Sequence, residues 1–197
     1  MPLVDRAWKI VAFPTREWPL IARETIPIRT LYLGYALPLA TIGPACGLLR
    51  ISYLGFPIGK TVYRVPLVTG IVQAVASLVF LLLAAYVLGL LVDALTQTFG
   101  GEPDSEQAQQ VVVYSYTPAW LAGILVFLPP GPLLGIAAIA IQLYCAYLLY
   151  LGLTPMLKVP RDNAAGFTVL VAIGAVLLAV LFDFGINALR LSLGLRS

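Results

Sequence analysis

Five long runs of apolar residues dominate the chain, near residues 31–50, 66–94, 111–129, 132–153 and 167–190. A helix needs roughly 20 such residues to cross a hydrocarbon layer about 30 Å thick, and each run approaches or exceeds that length. In lipid every backbone polar group must be satisfied within the protein, so a span is a helix or part of a closed barrel. Barrel strands alternate lipid-facing and lumen-facing residues with period two. Segments such as SLVFLLLAAYVLGLLV do not alternate. The pattern predicts an all-α polytopic membrane protein, a bundle of five transmembrane helices over residues 31–197, preceded by a short N-terminal segment.

Breaks in the apolar pattern set the connections. The first span carries Pro38, Gly43, Pro44 and Gly47, so a kink or break is expected within it. Pro66 is well placed to open the second span. The stretch 96–110 has acids, glycines and no base, and reads as a mobile solvent loop. Between the third and fourth spans, Leu128-Pro129-Pro130-Gly131-Pro132-Leu133 leaves room only for a tight antiparallel hairpin. Residues 1–30 differ from the rest. Arg6, Lys9, Arg16, Arg23 and Arg29 alternate with Trp8, Phe13, Trp18 and Leu20. That mixture suits short amphipathic helices on the headgroup layer, broken by Pro14 and Pro19 and anchored by Trp8, Trp18, Arg16 and Arg23.

Composition sharpens this picture. Of 197 residues 60% are hydrophobic and 11% charged, against about 25% charged in soluble domains. The net charge of +3 is dispersed along the chain, so nothing points to nucleic acid. No uninterrupted apolar core precedes the first span, which is expected to serve as the insertion signal. With the N-terminus inside, the inner segments hold seven Lys and Arg and the outer ones five. The bias favours a cytoplasmic N-terminus.

Chemistry is sparse. The chain has no His, which removes the commonest catalytic base and metal ligand. Cys46 and Cys145 sit singly in apolar runs, as small hydrophobes rather than a disulfide framework. The segment LGFPIGKT ends like a phosphate-binding loop but has Leu54 where the first glycine belongs. We expect no enzyme activity, no cofactor and no metal. Ionisable groups at membrane depth are functional candidates by default. Asp93 reads as a solvated helix end beside the acidic stretch. Asp183, Asn187 and Arg190 share one helix face at i, i+4 and i+7, either as a polar stripe for a headgroup or ion path or as a self-neutralising network. Gln142, Tyr144, Tyr147 and Tyr116 extend this into a candidate polar seam, which reads first as interhelical glue.

Several of these segments resemble one family. The features are Thr117-Pro118-Ala119-Trp120 opening the third span, a Tyr-rich run over 143–153, the link 160–164, and Gly166-Phe167-Thr168 opening the last span. With Trp18, Ile21 and Glu24 at spacing three near the start, they resemble the bacterial branch of the Yip1 domain family. The resemblance implies a five-span fold with a cytosolic N-terminus. Eukaryotic relatives act in vesicle trafficking and bind lipidated GTPases, but their DLYGP motif is absent here, so that activity does not carry over.

The expected function is therefore that of a non-enzymatic protein of the bacterial inner membrane, one that organises the lipid bilayer, other membrane proteins or copies of itself. The alternative is a small transporter or channel using the seam around Asp183.

Overall fold

The computed structural model describes residues 3–58, 61–129 and 131–192, without the side chains of 56–58, 183 and 186–192. Two short helices, α1 (Leu3–Ala12) and α2 (Pro14–Ile21), precede five long ones. These are α3 (Ile28–Leu54), α4 (Leu67–Thr96), α5 (Ser105–Phe127), α6 (Pro132–Leu157) and α7 (Arg161–Ser192). All five are long and apolar enough to cross a membrane, α7 over Arg161–Phe182. The only pairing of strands among the described residues is a hairpin between α3 and α4, with β1 (Phe56–Ile58) antiparallel to β2 (Thr61–Tyr63). The protein is an all-α polytopic membrane protein.

The bundle is apolar on its outside. On α4 the exposed Val68, Val72, Val75, Val79 and Leu83 recur every three or four residues. On α7 the same spacing exposes Val169, Ile173, Val176 and Val180. Stripes of that length have no place against water, and they mark the lipid-facing surface. In contrast, α5 is enclosed: half of its apolar stretch is buried, against 17–28% in the other four. It packs on α3, α4 and α6, while α7 closes the bundle against α4 and α6. Stacked rings of Phe99, in the link after α4, and Phe167 of α7, 4.7 Å apart, tie the two together at one end.

Prolines shape the elements without interrupting the spans. Pro38 cannot donate to the residue four before it. The chain answers with one turn of wider π-helix over Tyr32–Ala36 and continues as helix, a common relief for a lost ladder bond. The kink or break expected in α3 corresponds to wide turns over Tyr32–Ala36 and Leu49–Leu54 and a turn residue at Thr41. Pro118 opens the renewed helix after the irregular turn at Tyr116. Tightening to a 3-10 helix then ends α5.

The expected solvent loop over 96–110 is shorter than its composition suggested. Asp104 caps α5, its carboxylate accepting from the backbone N–H of Glu106 and Gln107 at 3.0 Å. The span therefore starts at Ser105, and Gln109 and Gln110 are buried helical residues. The true link is tied down too. Glu102 pairs with Lys158, and Asn163 donates to the Phe99 carbonyl at 3.0 Å. Those contacts put the α4–α5 and α6–α7 links at the same end of the bundle.

Candidate functional site

The polar groups of the interior gather where α1 and α2 meet the bundle. On α1, Arg6, Ala7 and Ile10 form the buried face. From that face Arg6 Nη1 donates to Glu17 Oε1 at 2.7 Å, and Nη2 reaches both carboxylate oxygens of Glu24 at 2.6 Å. Arg6 and Glu17 are both buried, whereas Glu24 retains partial exposure. A planar guanidinium is suited to such forked pairing. Burial works against the Arg6 charge, but the hydrogen bond and charge of Glu24 outweigh it and hold the pKa above its ordinary value. Arg6 therefore stays charged across any usable pH.

This clasp seats α2 on α6. Trp18 is only 1% exposed, and its indole lies over Gly152, where a Cβ would come within 2.9 Å of the ring. Tyr114 of α5 meets Trp18 edge-on at 6.4 Å and Tyr35 of α3 at 4.8 Å. Tyr144 of α6 donates to the Val11 carbonyl at 2.5 Å, holding the end of α1. The N-terminal segment is thus part of the bundle rather than a layer beside it.

A second polar group belongs to α5. Gln109 accepts from Tyr32 Oη at 2.7 Å and donates to the Tyr86 carbonyl at 3.0 Å, joining three spans. Gly89 makes this possible, since a Cβ there would collide with the Gln109 amide. The hydroxyls of Tyr35 and Thr117 bond at 2.8 Å. Gln110 Nε2 lies 3.5 Å from the carbonyls of Glu24 and Ile26. Gln110 Oε1 and Ser115 Oγ are buried without a partner among the described residues.

The residues expected to act are dispersed by the fold. Trp8, at 65% exposure, faces outward beside Val4, and Arg16 and Arg23 are exposed. Trp18 does not lie at the surface, because the clasp turns its face of α2 into the bundle. The polar seam does not form one line. Tyr144 turns to α1, with the exposed Tyr147 ring 5.9 Å away. Tyr116 and Gln142 instead share with Cys145 a cleft of about 240 Å³ between α6 and α7. The side chains of Asp183, Asn187 and Arg190 lie outside the described residues. Asp93 is only half-buried, yet its Oδ1 is enclosed without a partner among the described residues. Both cysteines are free thiols. No group of three or more His, Cys, Asp or Glu among the described residues is placed to hold a metal ion.

Glu17, Gln109 and Gln110 were not singled out by sequence reasoning, and Arg6 and Glu24 entered it only as a basic residue of the N-terminal segment and as part of the family resemblance. One signal for α5 was available: Asp104 three residues before Gln107 is the spacing of a capping box. Arg6 falling on the same helical face as Ala7 and Ile10 was a fainter one.

These features can be set beside known proteins. The sequence model of the Yip1 domain matches residues 8–182. The inner membrane protein YohC of Escherichia coli K12 is 26% identical over 180 residues, covering 90% of this chain and 92% of that protein. YohC of Escherichia coli O6:H1 matches to the same extent. No solved structure matches the chain.

Proposed function

The chain belongs to the Yip1 domain family, and on that premise we propose that it organises membrane or partner proteins in a bacterial inner membrane without catalysing a reaction. In this reading the N-terminus is cytoplasmic, and the bundle is a rigid body that displays α1 and α2. The observation that carries it is the clasp of Arg6 with Glu17 and Glu24. Burying the charges of Arg6 and Glu17 is costly unless they are paired. Here their geometry fixes two short helices that could not hold a shape alone. The exposed side chains of this segment include Val4, Trp8, Arg16 and Arg23, a mixture of apolar, aromatic and basic groups suited to a bilayer interface or another membrane protein. The polar groups of α5 are largely engaged with neighbouring helices, which suits packing better than conduction. The inner-membrane setting rests on the printed name of the YohC relatives.

The test is site-specific photocrosslinking from position 8 in intact cells. Discrete crosslinks to membrane proteins or a second copy, lost in Arg6→Gln, are expected. The competing transport reading draws on the cleft beside Tyr116 and Gln142. Ion or proton flux in proteoliposomes, abolished by Asp183→Asn, would overturn the organising role.

A further inference from the structure

A cleft of about 400 Å³ lies where α2 meets the last turns of α6 and the first residue of α7. Five of its lining residues carry hydrogen-bond donors: Thr15, Trp18, Tyr150, Thr154 and Arg161. No carboxylate lines it. Asp162 is adjacent in sequence but is not part of the lining. Arg161 is exposed and has no ion pair among the described residues. The indole Nε1 of Trp18, in a side chain almost fully buried, has no hydrogen-bond partner among the described residues. Buried N–H groups are nearly always satisfied, so an unpartnered one on a side chain that lines a cation-bearing cleft points to an absent acceptor.

We infer that this cleft binds a phosphate group, carried by the headgroup of an anionic phospholipid. Two features choose the lipid over a soluble anion. The cleft sits where α6 ends and α7 begins, the level at which headgroups meet a spanning bundle, and Leu151 and Pro155 continue its wall with apolar surface suited to the start of an acyl chain. Arg161 supplies the charge that a phosphate diester needs, and the hydroxyls and indole supply neutral donors. A zwitterionic headgroup is less well matched, because its ammonium finds no carboxylate in the lining. The inference is independent of the organising role: it requires only that the cleft be folded.

The experiment titrates the purified full-length protein in neutral detergent with dioctanoyl phosphatidylglycerol, dioctanoyl phosphatidylcholine or inorganic phosphate, following the thermal melting temperature. Phosphatidylglycerol should raise it saturably, at a concentration roughly tenfold below phosphatidylcholine, the size of one charge-assisted hydrogen bond. Arg161→Gln should erase that preference while leaving the melting temperature without lipid unchanged, since Arg161 is exposed and unpaired. Arg23→Gln, an exposed arginine outside the cleft, should keep the preference. Equal response to the two lipids, or loss of preference in both variants alike, would overturn the site. Inorganic phosphate acting at the same concentration as phosphatidylglycerol would overturn the lipid as its occupant.

Discussion

Arg6 on α1 and Glu17 on α2 meet at 2.7 Å with both side chains buried, across the break at Phe13 that separates their helices. Removing one partner leaves a buried charge uncompensated, which costs about 3–5 kcal/mol. Arg6→Gln should therefore lower the melting temperature in detergent markedly and speed amide exchange over residues 3–24. Arg6→Met with Glu17→Leu should recover much of the loss, because an apolar pair of similar volume can replace a buried ion pair. The half-exposed Glu24 is left free to turn to water. A double variant as unstable as Arg6→Gln would show that the charges do more than hold the helices.

Trp18 and Gly152 make a second testable contact. A Cβ at position 152 would lie 2.9 Å from the indole, closer than van der Waals contact permits. Overpacking of this kind costs about 1–3 kcal/mol. Gly152→Ala should destabilise the protein by that amount. Introduced together with Trp18→Phe it should cost less than the sum of the two single changes, because the smaller ring clears the methyl. Thermal melting of the four proteins in the cycle reads the coupling directly. Strict additivity would mean that α2 yields elsewhere.

The spans were legible in the sequence because lipid leaves the backbone few options, and uninterrupted apolar runs such as 66–94 have one stable form. Legibility ended where a decision depended on a distant neighbour. Trp18 beside Arg16 and Arg23 has the composition of a headgroup anchor, and also of a buried face with exposed flanks. Which applies is set by Gly152, more than a hundred residues away. Gln109 and Gln110 looked like loop residues because the stretch before them is hydrophilic. Gln109 is buried because Gly89 of α4 leaves space for its amide, and Gln110 because it turns to the Glu24 and Ile26 carbonyls, and no pattern within α5 reveals either. Tyr144 was grouped with Tyr147 by spacing, yet its hydroxyl is claimed by the Val11 carbonyl.

Gln109 bonds to Tyr32 and to the Tyr86 carbonyl, so its loss is felt on two spans. Gln109→Leu keeps the bulk but leaves the Tyr32 hydroxyl without its acceptor. Interhelical hydrogen bonds in membranes are worth about 0.6–2 kcal/mol. The variant should lose stability in that range for each bond. Tyr32→Phe in the same background should restore part of it, since the orphaned hydroxyl is then gone. Melting temperatures of the single and double variants check this, and a double variant less stable than Gln109→Leu alone would contradict it.

Gly43 of α3 and Gly123 of α5 bring two backbones into direct contact, but the two positions are not equivalent. A Cβ on Gly43 would lie 3.6 Å from the Gly123 Cα, an ordinary contact. One on Gly123 would run into the Gly43 Cα and lie 2.7 Å from its nitrogen. The obstacle is backbone rather than a side chain, so it cannot rotate away, and the two helices would have to separate. Close approach through small residues is a main source of attraction between helices in lipid, where burial of apolar surface contributes little. Gly123→Ala should thus cost at least the roughly 1–3 kcal/mol typical of overpacking. Gly43→Ala should be nearly neutral. Its added methyl finds space, and alanine is the better helix former by about 1 kcal/mol. Thermal melting of the two variants in detergent tests the asymmetry. Equal destabilisation would mean that the helices are free to shift at this crossing. A larger effect at Gly43 would reverse the packing order described here.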